Sequence, residues 1–438
     1  MFSWLERWLW GGGLCLLLLG TGVYYTVLTG GLPLRQRFLW LRHTLGSLSA
    51  SFQRGKGVFS PFEAVSTALG ATMGTGNLVG VASAIYLGGP GALVWMWISG
   101  FVGMSLKYGE IYLSLLFRKV GRGRALVGPM AYLEEGLHCP LLAKAYGFFG
   151  LLAAFTMGGM SQSKAMAEGL REAFSCSPYV CGAVLCVGVM LVILGGSHAV
   201  GKVSAYLVPV LLLGYLSMGL WVLWVYRASL WQTVGAMVAD AFSAQAFFGG
   251  SGAAAIQYGM ARGVFSHEAG LGTATLAYGE VETKEPAQAA LWGIFEVFAD
   301  TMVVCTLTGL CILVTDVWKN GQSGAALTMA AFGTVFGAKA KGLLAVALTL
   351  FAFSTVISWF YYGKTCATYL WGGQKAKGFG IVFLGVLFLG VLLPESLVWH
   401  LTDGVNALLA FPNLTALLLL SPFVWKGTRA YLKKEAKK

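Results

Sequence analysis

Charge is scarce in this chain. Only 11% of its 438 residues are Asp, Glu, Lys or Arg, against about 25% in an ordinary soluble domain, which excludes a water-soluble fold of this size. Catalytic side chains are equally thin. The five histidines, His43, His138, His198, His267 and His400, are scattered, and neither an HExxH zinc helix nor a GxSxG nucleophile elbow occurs. That removes the residues an intramembrane enzyme needs. The eight cysteines contain no CxxC. Cys15, Cys186, Cys305, Cys311 and Cys366 lie in apolar runs, where a thiol packs as a small hydrophobe. Cys176 and Cys181 share a short loop and are either a disulfide facing an oxidising side or two free thiols. Gly74-x-Gly76 has no strand-turn-helix around it, so it is not a dinucleotide motif.

What is abundant is apolar surface: 57% of residues are hydrophobic and the mean hydropathy is +0.72. A spanning helix takes roughly 20 apolar residues. The apolar runs at 8–32, 60–87, 90–117, 146–170, 179–196, 203–226, 246–279, 287–314, 342–371, 379–393 and 397–425 make one N-terminal helix and ten more, eleven in all. The net charge of +12 does not point to nucleic acid, because the basic residues gather on no soluble domain. They lie in short loops: Arg35, Arg37, Arg42, Arg54 and Lys56 after the first run, Arg118, Lys119, Arg122 and Arg124 after the third, and Lys426, Arg429, Lys433, Lys434, Lys437 and Lys438 in the tail. The positive-inside rule puts these in the cytoplasm. Only Arg7, offset by Glu6, precedes the first run, so it reads as a retained helix with its N-terminus outside and not as a signal peptide. The expected location is the plasma membrane, the inner membrane of a bacterium. Residues 315–338 are a loop long enough for a short surface helix.

Two stretches break the apolar pattern. Ala71-Thr72-Met73-Gly74-Thr75-Gly76-Asn77 sits at the middle of the 60–87 run. The 246–279 run reads Gly249-Gly250-Ser251-Gly252 and then Arg262-Gly263-Val264-Phe265-Ser266-His267-Glu268-Ala269-Gly270-Leu271-Gly272. Glycine weakens a helix interior, and polar groups in hydrocarbon are costly unless paired or lining a cavity. Both helices are therefore expected to unwind at mid-membrane. The chain divides into residues 1–58 (extra helix and loop), 59–226, 246–425 and a basic tail, 426–438. Each of the two large segments has five helices and opens with the interrupted one. Five helices per half forces opposite topology, and paired interrupted segments in inverted halves point to a transporter binding site. A half-helix N-terminus suits a carboxylate, and freed carbonyls suit a small cation. A channel is the competing reading, but channels usually repeat by subunit.

Gly74-Thr75-Gly76-Asn77, the Gly88-Gly89-Pro90-Gly91 corner before Trp95-Met96-Trp97, Lys107-Tyr108-Gly109-Glu110, Gln162, the stretch Arg262 to Gly270, Asp300-Thr301, Phe353-Ser354-Thr355, Trp359-Phe360-Tyr361-Tyr362-Gly363 and Pro412-Asn413-Leu414 together resemble the alanine or glycine:cation symporters. The resemblance covers nearly the whole chain. It implies an all-α, LeuT-type fold of five plus five inverted helices with broken helices 1 and 6, one extra N-terminal helix, and uptake of alanine, glycine or a similar small neutral amino acid with Na+. The family usually has Phe-Ser-Asn-Glu-Ala-Gly; here His267 replaces the Asn.

The candidate contacts follow. Thr75 and Gly76 are the expected seat of the substrate carboxylate, the bland alternative being small-residue helix packing. Gln162 is expected to accept from the substrate ammonium, or else to make an interhelical hydrogen bond. Met160, Phe265 and Trp359 are expected to wall a pocket too small for long side chains. Asn77, with Thr72 and carbonyls of the first broken helix, is one candidate Na+ site. Ser354 and Thr355, with the carbonyls of Gly70 and Met73, are a second, or hydroxyls bonded back to their own helix. Neutral oxygen ligands suit a hard monovalent ion. Asp300, Glu296, Glu110, Glu63, Arg262 and Glu268 are ionisable at or near membrane depth and so are functional candidates; Asp300 is placed with the substrate amine, a cation or a proton, and Arg262 with Glu268 is a candidate gate pair. His267 is the group that titrates near neutral pH, or a hydrogen-bonded structural histidine. H+ in place of Na+, and glutamine in place of alanine, are the alternatives within transport.

Overall fold

The computed structural model describes residues 13–47, 59–121, 124–243 and 252–437. Glu6, Arg7, Arg54, Lys56, Arg122, Lys438 and the Gly249-Gly250-Ser251 stretch lie outside the described residues. Helix α1 spans Leu14–Leu28. The first interrupted run forms α2, Pro61–Thr72, and α3, Val79–Gly88, around a short Thr75–Asn77 turn. The two halves are bent by 50°. A capping box starts α2: the Ser60 Oγ accepts from Glu63 N–H at 3.1 Å, and Glu63 Oε2 accepts from Ser60 N–H at 2.9 Å. Glu63 thus serves a helix end, as its position three after a serine allows.

Helix α4 runs Ala92–Phe117 and is followed by a two-stranded antiparallel ribbon, residues 119–121 with 124–126. Helices α5, Pro140–Phe155, and α6, Ser161–Phe174, make one 35-residue span, Pro140–Phe174, through a π-type widening at Thr156–Met160. Helix α7 is Pro178–Leu194 and α8 is Gly196–Val225. The second interrupted run forms α9, Gly252–His267, and a single turn α10, Thr275–Tyr278. Helices α11, Pro286–Val297, and α12, Thr306–Val314, join through another widening at Phe298–Cys305. The 315–338 loop carries α13, Gly324–Phe336. Helices α14, Lys339–Trp371, α15, Phe379–Leu392, and α16, Glu395–Glu435, complete the chain.

Helix α16 is 41 residues long, about 60 Å at 1.5 Å per residue, twice the hydrocarbon thickness. The basic residues Lys426, Arg429, Lys433 and Lys434 therefore sit on its projecting turns, because the Lys- and Ala-containing sequence after Gly427 keeps forming helix. Lys434 pairs with Glu285 there, and His43 Nε2 lies 3.3 Å from Glu435 Oε2.

Among the described residues six helices are long and apolar enough to cross a membrane, and the bent α2–α3 pair makes a seventh. Large apolar side chains point outward from α1, α7, α8 and α15, among them Leu16, Leu194, Tyr206 and Ile381. The polar side chains of the two breaks, Thr75, Asn77 and Glu268, are instead buried, as are Ser266 and Asp300 beside them. That is the inverse of a soluble protein: hydrocarbon takes the apolar rim, and backbone freed from helices is enclosed by protein. Cys176 and Cys181 are free thiols.

Candidate functional site

The first break begins with an inverse γ-type turn at Met73, φ −78° and ψ 63°, with Gly74 N–H donating to Thr72 O at 2.9 Å. Gly74 is required by crowding. A Cβ there would lie 2.4 Å from Thr355 Oγ1 and 2.8 Å from Gln162 Oε1. Beyond the turn, Thr75 N–H has no helical acceptor, and Gln162 Oε1 takes it at 3.0 Å. Gln162 is thus brought to the break, but its oxygen holds the backbone N–H. Its amide donates to Met157 O at 3.1 Å. Thr355 Oγ1 donates to Gly70 O at 2.8 Å, which joins α14 to α2. The Ser354 and Ser358 hydroxyls lie next to Gly70 and are buried without a hydrogen-bond partner. Thr72 is not brought into this set, since its hydroxyl bonds back to Ala68 O and Leu69 O. Met73 closes α2 through its N–H to Leu69 O.

The first break meets the last turn of α9, just ahead of the second break, at Gly76. A Cβ there would lie 3.1 Å from the Phe265 ring and 3.5 Å from Ser266 Cα. Asp300, on the widened turn between α11 and α12, ties them together. Its Oδ1 accepts from Asn77 Nδ2 at 2.6 Å, and its Oδ2 accepts from Ser266 Oγ and Thr301 Oγ1, both at 2.8 Å. Asn77 Oδ1 and Thr75 Oγ1 are buried and unpartnered. Enclosed oxygens without donors beside a carboxylate are the surroundings a small cation takes. Trp359 packs on Gly158, where a Cβ would be 2.2 Å from the Trp359 Cβ. The Met160 Cα and Cβ lie against Gly390 of α15.

The second break follows His267. Glu268 adopts φ +55°, and Gly270 and Gly272 adopt φ +92° and +76°. Its freed backbone is pinned from outside. Glu110 Oε1 accepts from Gly270 N–H at 2.8 Å, Gly272 N–H at 3.1 Å and Asn413 Nδ2 at 2.7 Å. Asn413 also donates to Gly270 O at 2.8 Å, and Tyr146 donates to Leu271 O at 2.7 Å. Glu296 pairs with Lys107 at 3.1 Å, both without exposed surface. His267 Nδ1 accepts from Ala269 N–H at 3.0 Å, and its Nε2 lies 3.2 Å from Ser99 Oγ. It is held as a hydrogen-bonded structural ring.

Arg262 and Glu268 do not pair. The helix turn carries Arg262 to the opposite side, where its Nη1 and Nη2 donate to Asp403 at 3.2 and 2.8 Å. Its guanidinium lies 4.1 Å from the Trp399 ring centroid, and Trp399 stands 5.0 Å from the Phe265 ring. Beyond this stack opens a cavity of about 440 Å³ lined by Tyr86, Gln257, Tyr258, Arg262, Trp399 and His400. Sequence reasoning missed Asp403 and Trp399. Asp403 was findable, as a lone acid inside a long apolar run.

Two unwound helices facing each other across a buried, oxygen-lined centre, capped on one side by an ion pair and an indole, are the make-up of a secondary membrane carrier. The crystal structure of MhsT in complex with L-phenylalanine shares the fold, with a TM-score of 0.58 at 13% identity, covering 84% of this chain and 97% of that one. The family model described as the sodium:alanine symporter family matches residues 1–438, and the chain belongs to that family. The sodium/alanine symporter AgcS of Methanococcus maripaludis is 38% identical over 442 residues, 97% of this chain and 95% of the relative. The probable sodium/glutamine symporter GlnT of Bacillus subtilis is 32% identical over 432 residues, 98% and 89% respectively. The chain is a secondary amino-acid transporter, integral to a membrane, and not an enzyme.

Proposed function

We propose that the protein takes up alanine, glycine or a similar small neutral amino acid by Na+ symport with alternating access. The reading rests above all on the first break meeting the last turn of α9 at Gly76 and Phe265, with Asp300 bonded to Asn77. The substrate carboxylate sits at the Thr75 and Gly76 backbone, where it takes the place of Gln162 Oε1 on the Thr75 N–H. Phe265 and Trp359 bound its side chain, with Trp359 packed on Gly158. Asn77 and Asp300 hold one Na+ with backbone carbonyls of the break. Ser354, Thr355 and the Gly70 carbonyl are the second candidate position, supported by the unpartnered Ser354 hydroxyl.

Eleven membrane helices follow when α1, α4, α7 and α9 are counted with the longer spans, in two inverted halves, 59–226 and 246–425. The N-terminus is outside and the C-terminus cytoplasmic, in the inner membrane. The Arg262–Asp403 pair with Trp399 then closes the outer side. Radiolabelled alanine and glycine uptake into proteoliposomes tests the function: an inward Na+ gradient should drive accumulation, and replacing Na+ by choline should abolish it. Undiminished uptake in choline would refute Na+ coupling. The GlnT relative favours a second substrate, glutamine, and unlabelled glutamine as competitor in the same assay decides between them.

A further inference from the structure

Four ionisable side chains surround the second break with no exposed surface: Lys107 and Glu110 of α4, Glu268 on the unwound stretch, and Glu296 of α11. Fully ionised, they set three carboxylates against one ammonium, and an uncompensated buried charge costs several kcal/mol. Two of the carboxylates are compensated. Glu296 has the Lys107 ammonium at 3.1 Å, and Glu110 has three N–H donors on one oxygen. Glu268 has only neutral donors, the Thr273 hydroxyl on Oε2 and the Trp359 indole N–H on Oε1 at 3.1 Å. Among the described residues no cation lies within ion-pair distance of it. Its neighbour His267 offers no charge, because Nδ1 accepts a backbone N–H and so carries no proton. The remaining titratable groups in electrostatic reach are Lys107 and Glu296, and the phenols of Tyr146 and Tyr362; Tyr278 stands behind them against Glu296.

Resting on the carrier reading above, we propose that Glu268 is a proton-binding site of the transport cycle, which exchanges a proton as substrate binds. The juxtaposition that carries it is one carboxyl joined to Trp359, the wall of the substrate pocket, and to Thr273, across the break. Protonation forms one O–H bond at Glu268, with the proton taken from hydronium on the aqueous side to which the break opens. The reverse step returns it to water on the other side, and no other bond changes. Protonation also removes the charge that strengthens the hydrogen bonds from Trp359 and Thr273. The proton state thereby sets how tightly the break is clamped to α14.

The test is proton exchange on alanine binding. Purified protein in Na+ and weak buffer receives alanine while an indicator dye reports protons, and bound radiolabelled alanine is measured in parallel. The wild type should exchange up to about one proton per alanine, with an amplitude that depends on pH. Glu268→Gln should bind alanine and exchange none. Alanine binding without proton exchange in the wild type, or undiminished exchange in Glu268→Gln, overturns the proposal and leaves the symport reading standing. No alanine binding by the wild type overturns both. Where Glu268→Gln does not fold, Thr273→Ala decides. It keeps the carboxyl and removes a donor to the charged form, so the midpoint of exchange should move to higher pH by about half a unit or more. An unmoved midpoint counts against the site.

Discussion

Single residues at the breaks are set by crowding and by lone charges. Gly76 faces the Phe265 ring at contact distance, so Gly76→Leu should push Phe265 into the space reserved for substrate. Alanine uptake should fall to background while surface labelling shows the protein still in the membrane; normal uptake by that variant would remove Gly76 from the site. Arg262 and Asp403 are nearly fully buried. Removing one partner leaves a desolvated charge, a loss of about 3–5 kcal/mol. Asp403→Asn and Arg262→Gln should each lower the unfolding temperature in detergent, and the double variant should lose less than the sum. Strict additivity would show that the pair is not coupled. At this scale the sequence was legible where a residue is odd in its place. Thr75, Gly76, Asn77 and Asp300 stand out in apolar runs, and the structure brings all four together. The partner of Arg262 was not legible, because Glu268 is six residues away while Asp403 is 141 residues away, and only the fold ranks those distances.

Elements show what holds an unwound segment open. A break exposes N–H and C=O groups that must find partners, and here they come from other helices: Gln162 of α6 and Thr355 of α14 for the first, Glu110 of α4 and Asn413 of α16 for the second. Asn413→Ala removes three buried hydrogen bonds, two that it donates and one that it accepts from Tyr132, each loss costing about 1–3 kcal/mol. Hydrogen exchange of the Gly270–Thr275 amides should speed up by tenfold or more, with exchange in α8 unchanged. Unaltered protection at Gly270–Thr275 would mean that Glu110 and Tyr146 hold the segment alone. The loop helix α13 was expected from loop length. Its contact was not: Thr328 Oγ1 donates to Leu78 O at 2.9 Å, so it lies over the first break.

For the whole molecule, the ion pair and Trp399 on one side of the centre and the pinned second break on the other describe two closures in series. Alternating access requires the Arg262–Asp403 side to separate once per cycle. With the part-exposed Cys139, Cys176 and Cys186 changed to serine, cysteines at positions 262 and 403 joined by a short cleavable bismaleimide should reduce alanine uptake at least tenfold. Cleaving the linker should restore it. Transport at full rate with the linker intact would show that this side does not open.

Composition and pattern alone determined a membrane protein, its apolar runs, and the two places where helices fail. Each of these depends on residues close together in sequence: hydropathy sums over a window, and glycine acts on its own turn. Tertiary structure decided what the failures face, namely Asp300 for Asn77 and Ser266, Glu110 and Asn413 for the second break, and Asp403 for Arg262. Burial and pairing energies are set by atoms brought together from helices hundreds of residues apart, and no local pattern encodes which ones those are.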